Sequence, residues 1–154
     1  MNSNIIRRLS ALLMVCVLMV STAISASAAN VTDTSYYKTN VSSGTWRATS
    51  ARYKENNSKV YVYPSSSPSG KTKVKTVCYV GGVSTNKTKN SNGYVVLNSG
   101  SKYAITNYVY EDGDYTTGYG VKAWLNFTPT SGTGTLSGVW SPDWTGSGTG
   151  ITIV

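Results

Sequence analysis

Histidine is absent from this chain of 154 residues, and the absence excludes a good deal. Ser-His-Asp and Cys-His machinery both need an imidazole as base, so neither can be assembled. Histidine-ligated zinc sites go with it. Cysteine is scarce as well: Cys16 and Cys78 are the two present, too few for a thiolate cage. Leucine is sparse after the N-terminus, and Phe127 is the single phenylalanine. Acidic residues number six. Glycoside hydrolysis needs two carboxylates facing each other across a cleft, yet Glu111, Asp112 and Asp114 crowd one turn-like segment, where making the turn is the simpler role.

One long apolar run is present, residues 9–20, and it is short of the ~20 residues that span a bilayer as a helix. Arg7 and Arg8 precede it, and a small-residue segment, 21–29, follows with Ala26-Ser27-Ala28 as a cleavage pattern. Residues 1–28 therefore read as a secretory signal peptide cut at Ala28 and Ala29, so that the mature chain begins at Ala29 or Asn30. Ile6 and Leu9-Ser10-Ala11 do not fit the flanks of a twin-arginine signal. Val15 is not the small residue that lipid attachment at Cys16 would need. The expectation is a secreted, extracellular protein, released or loosely held by the cell envelope.

Cleavage leaves about 126 residues, enough for one domain with its own core. It also removes Cys16, so Cys78 stands alone and no intramolecular disulfide can form. The setting Val77-Cys78-Tyr79-Val80 favours a buried thiol over an intermolecular bridge or a reactive group. Loss of Arg7 and Arg8 lowers the formal charge from +8 to +6. A basic exported surface is drawn to polyanions such as wall teichoic acid, the lipid headgroups of an anionic membrane surface or extracellular nucleic acid, or serves solubility alone. No specific nucleic acid, no cofactor and no membrane integration is expected.

What remains is rich in alternating β-branched, aromatic and polar residues, punctuated by Gly, Asn and Ser. The pattern predicts an all-β chain, an antiparallel β-sandwich or small barrel. Residues 29–43 read as an N-terminal extension, 44–144 as a single β domain, and 145–154 as a Gly/Thr/Ser-rich tail ending in a short edge strand or sticky end. Within the domain, 44–54 and 59–63 look like a hairpin turned at Glu55-Asn56-Asn57-Ser58. Residues 64–70 read as an exposed loop, 71–80 as a strand, 83–92 as irregular, 93–97 as a short strand and 135–140 as a last core strand. Gly81-Gly82 reads as a turn or a bulge. Asp112-Gly113 predicts a type I′ hairpin joining 102–110 to 115–127, which would gather Tyr108, Tyr110, Tyr115 and Tyr119 on one side.

Period-two alternation puts Lys71, Lys73 and Lys75 on one face of their strand, with Val74, Cys78 and Val80 on the other. This ridge is the candidate polyanion-binding feature. Lysines on an exposed strand also guard sheet edges against aggregation, and that reading stands beside the first. If Gly81-Gly82 makes a two-residue turn, Lys87 and Lys89 fall on the opposite face and do not extend the ridge. The tyrosines and Trp46, Trp124 and Trp140 serve as core or cross-strand packing, or as stacking surfaces for sugars or bases. Trp144, between Pro142 and Gly146, is the candidate exposed aromatic. Asp112 and Asp114 do not match the spacing of an EF-hand calcium loop.

Four strings carry a family likeness: Arg52-Tyr53-Lys54, Ser58-Lys59-Val60-Tyr61-Val62, Tyr108-Val109-Tyr110-Glu111-Asp112-Gly113 and Gly138-Val139-Trp140-Ser141-Pro142-Asp143. Over residues 44 to 144 the chain resembles a family of small secreted proteins of Gram-positive bacteria, a domain of unknown function. The resemblance implies a single-domain bacterial β-protein and carries over no catalytic residues. The expected function is a non-enzymatic secreted module that binds envelope polyanions or a partner protein. A bacteriocin-like antagonist is the alternative, and an enzyme acting on polysaccharide through Glu111 or Asp143 the third class.

Overall fold

A computed structural model describes residues 31–115, 120–146 and 148–154. The signal peptide, its cleavage at Ala28 and Ala29, and the placement of Tyr119 lie outside the described residues. Alternating β-branched and aromatic residues form β1 (Thr34–Ser42), β2 (Arg47–Ala48), β3 (Arg52–Lys54), β4 (Val60–Ser66), β5 (Lys71–Val80) and β6 (Val83–Asn86). They continue in β7 (Val95–Asn98), β8 (Lys102–Ile105), β9 (Val121–Pro129), β10 (Thr133–Ser141) and β11 (Ile151–Ile153), with one helical turn, α1 (Val109–Asp112), between β8 and β9.

The strands make two sheets. The first is five-stranded in the order β1-β10-β4-β8-β11. The second is six-stranded along the path β2-β9-β5-β6, with β3 also on β9 and β7 also on β5. Apolar faces of the two sheets pack together, Val41, Val60, Val62, Leu136 and Trp140 from the first meeting Val74, Leu97, Leu125 and Phe127 from the second. The Tyr36 and Phe127 rings touch across this core, 4.6 Å between centres. The all-β class and the strand at 71–80 are as the alternation predicts.

The partners of several strands differ from the sequence reading. Residues 44–54 and 59–63 do not form a hairpin: β2 and β3 pair with β9, whereas β4 pairs with β10 and β8 in the other sheet. The chain breaks between β2 and β3 at Thr49, whose amide bonds the Leu125 carbonyl while its hydroxyl accepts from the Leu125 amide. Residues 29–43 are no mere extension, since β1 pairs with β10 from Thr34 to Ser42. Pro64 continues β4 opposite Gly138 rather than opening a loop; β8 pairs only as far as Val62, so the missing proline N–H removes no ladder bond. Residues 83–86, expected to be irregular, pair back on β5. Gly81 and Gly82, at φ 57° and 77°, make the two-residue turn that allows it.

The hairpin expected at Asp112-Gly113 does not form. β8 pairs with β4 and β11, and at its end Asn107 bonds both the Ile105 carbonyl and the Val109 amide, turning the chain into α1. Gly113 has an extended φ of −79°, whereas a type I′ turn needs positive φ at both central positions. Its missing Cβ serves close packing: a methyl there would lie 2.6 Å from the Val109 carbonyl oxygen. The turn thereby tucks Val109 into a small cluster with Cys78, Val121 and Ala123. Tyr110 and Tyr115 still meet edge-to-face, at 5.6 Å. The tail ends in β11, parallel to β8.

Candidate functional site

β5 is the inner strand of its sheet, flanked by β9 on one side and by β6 and β7 on the other. The alternation holds except at Val77, which is also buried: Thr72, Val74, Thr76 and Cys78 are buried toward the core, and Lys71, Lys73, Lys75 and Tyr79 face outward. The structure thus keeps the predicted ridge together but removes one of its explanations. A strand paired on both sides has no edge to guard.

Aromatic rings, Trp46 just ahead of β2 and Tyr94 just ahead of β7, lie against the ridge. Lys75 Nζ lies 4.1 Å from the centre of the Trp46 ring and Lys73 Nζ lies 5.0 Å from that of Tyr94. The two rings are 6.4 Å apart. On β9, Lys122 sits 5.5 Å from the Tyr53 ring. Each contact orders an ammonium over an aromatic ring. No strand of this sheet contains Asp or Glu, so the face is basic without internal compensation. Lys87 instead pairs with Asp112 at 3.1 Å and does not extend the ridge.

Farther along the same face lies a shallow depression of about 290 Å³, lined by Ala48, Thr49, Ala51, Tyr79, Ser84 and Trp124. Tyr79 and Trp124 pack at 4.9 Å between ring centres, tilted by 55°. Tyr79 remains 46% exposed, whereas Trp124 is 8% exposed.

Trp144 is half-buried. Its amide donates to Ser58 Oγ at 3.0 Å, and Lys59 Nζ stands 5.8 Å from its ring. It helps line a second depression, about 310 Å³, with Asp33, Tyr61, Lys102 and Ile151 beside the first sheet. The structure does not bring it to the lysine ridge.

Sequence reasoning missed the strongest polar constellation. Lys54 and Asp143 form an ion pair at 3.1 Å with both side chains fully buried. Lys54 Nζ also donates to the carbonyls of Ser58 and Pro142. Asp143 accepts from the Glu55 amide at 2.9 Å and from Ser58 Oγ at 3.2 Å. Burial pulls the Lys54 pKa below its ordinary value, and the adjoining carboxylate opposes that shift. The pair ties the β3 exit to the end of β10. The one trace of it in the sequence is that Lys54 and Asp143 each close a string that carried the family likeness.

Cys78 is buried, and burial pushes its thiol up to about 11, the setting of an inert core sulfur. Among the described residues no group of three or more His, Cys, Asp and Glu side chains stands close enough to hold a metal ion. Nor, among them, is any helix long and apolar enough to cross a membrane.

A family model described as Protein of unknown function (DUF2712) matches residues 24–144. The chain belongs to this family. The match takes in the ridge, the depression beside it and the Lys54–Asp143 pair, and it ends before β11. No curated protein and no solved structure matches the chain.

Proposed function

We propose that the outer face of the second sheet binds an anionic polymer of a Gram-positive cell envelope, wall teichoic acid being the first candidate. On this reading the chain is secreted after loss of residues 1–28 and acts as a binding module, not an enzyme. The observation that carries it is the pairing of Lys73 and Lys75 with the Tyr94 and Trp46 rings on a strand with no edge to protect. Held ammoniums lose less rotamer entropy on meeting a phosphate than free ones do.

Retention of the mature protein on purified cell walls, with and without their teichoic acid, tests the reading. A lysine near an anionic surface contributes about 1 kcal/mol, so Lys73→Gln with Lys75→Gln is expected to weaken retention about thirty-fold. Glutamine keeps half of the methylene stem and a polar end on an outward-facing position, so the fold should survive, which circular dichroism checks. Rising salt is expected to release the wild type. Equal retention on walls stripped of teichoic acid, or no effect of the double substitution, would sink the proposal.

A further inference from the structure

We infer that the Tyr79–Trp124 depression is a subsite for a neutral hexopyranose carried on that polymer, an inference that rests on the proposed polyanion binding. The chemistry of its lining selects the ligand. No charged side chain lines it, so it does not duplicate the lysine ridge and offers no cation to a phosphate. Tyr79 presents a ring that is 46% exposed, tilted 55° against Trp124 beneath it. An apolar ring face of this kind takes the axial C–H face of a sugar. Ala48 and Ala51 keep the rim low, leaving room for a ring to lie flat. Thr49 Oγ1 already accepts the Leu125 amide at 3.0 Å, which leaves its proton to donate, and Ser84 adds a second hydroxyl at the exposed rim. The volume, about 290 Å³, stands at the small end of ligand sites, ~300 Å³, suited to one ring and not to a peptide or a lipid chain.

Position ties the subsite to the ridge. Tyr79 follows Lys75 by four residues on the same face of one strand, a rise of about 13 Å. A polymer lying along β5 therefore meets ammoniums first and the aromatic floor next. Phosphates of one repeat would sit at Lys73 and Lys75, and the sugar substituent of a neighbouring repeat at Tyr79.

Affinity for poly(glycerol phosphate) with and without hexopyranosyl substituents, followed by tryptophan fluorescence and calorimetry, tests the inference. The wild type is expected to prefer the glycosylated polymer about ten-fold. Tyr79→Ala, and separately Ala48→Leu, which fills the depression from its rim, should each abolish that preference while leaving affinity for the bare polymer in place. Lys73→Gln with Lys75→Gln should weaken both polymers alike and keep the preference. Absence of any preference in the wild type, or a preference that survives both Tyr79→Ala and Ala48→Leu, overturns the subsite. A sugar preference that persists while the lysine substitutions change nothing supports the subsite and overturns the polyanion reading alone.

Discussion

Replacing Asp143 with alanine tests the account of what holds this fold together. The substitution removes the carboxylate that Lys54 meets at 3.1 Å in a fully buried setting, along with the acceptor for the Glu55 amide and the Ser58 hydroxyl. Lys54 Nζ keeps the Ser58 and Pro142 carbonyls, which solvate the charge but do not neutralise it. Breaking a buried pair by removing one partner costs about 3–5 kcal/mol, against a total stability of about 5–15 kcal/mol. Urea unfolding at pH 7 should therefore show a large fall in midpoint with little change in slope. Replacing both partners, Lys54→Met with Asp143→Leu, should cost much less than the sum of the single changes, because no uncompensated charge is left behind. The pH dependence gives a second check with a definite sign. Burial already holds the Lys54 pKa below its ordinary 10.5, and loss of the carboxylate that opposes this shift lowers it further. Between the folded value and 10.5 the unfolded chain binds more protons, so stability rises with pH through that window. The deficit of Asp143→Ala relative to wild type should accordingly shrink as pH climbs toward 10. A deficit under about 1 kcal/mol at pH 7, or one that grows with pH, would refute the reasoning.

The Cys78 thiol, raised by burial from 9.0 to about 11, should resist alkylation in the native protein and react fully once the chain is unfolded. Its contribution to stability is complete below pH 9 and is lost as pH rises toward 11, so Cys78→Ala should lack that part of the alkaline decline; equal decline in both proteins would contradict it. Gly138→Ala places a methyl against the Tyr63 carbonyl and the Tyr36 ring and should destabilise by about 1–3 kcal/mol or more in thermal unfolding; an unchanged midpoint would mean that β1 and β4 can shift apart. Truncation after Trp144 removes β11 and uncovers β8, whose Ala104 and Ile105 are fully buried. Faster amide exchange in β8 and concentration-dependent association are the expected results, and a truncated chain that stays monomeric with unchanged exchange would show that β11 covers nothing of consequence.

Face was legible in the sequence and partnership was not. The alternation in 71–80 sorted its residues correctly because one side of β5 is buried, and burial of one face fixes which side chains point inward. The same alternation in 44–54 and 59–63 says nothing about which strand lies alongside, and these segments went to opposite sheets. Asp112-Gly113 misled for a different reason. A glycine next to an aspartate signals positive φ, but Gly113 is required for its lack of a Cβ against Val109 and Val121, and a sequence does not distinguish the two uses. The Lys54–Asp143 pair joins residues 89 apart in the chain, with no local pattern to announce it. The aromatic partners of the ridge were equally out of reach, since Trp46 and Tyr94 come from the segments just ahead of β2 and β7.

The lysine row also carries an energetic consequence for the folded state. Lys73 and Lys75 are i, i+2 neighbours on one face of the strand, and their like charges repel. The Trp46 and Tyr94 rings offset part of that repulsion, yet no carboxylate of the sheet relieves it. The fold therefore keeps a modest strain of like charge on a face where neutral polar residues would serve a purely structural role as well. On the proposed reading, a bound polyanion would remove that repulsion and add its own attraction. Edge protection would not need this cost on a strand with no edge, and solubility would be served equally by lysines dispersed over the surface. Three lysines on one aromatic-backed strand are what the proposed binding face would use.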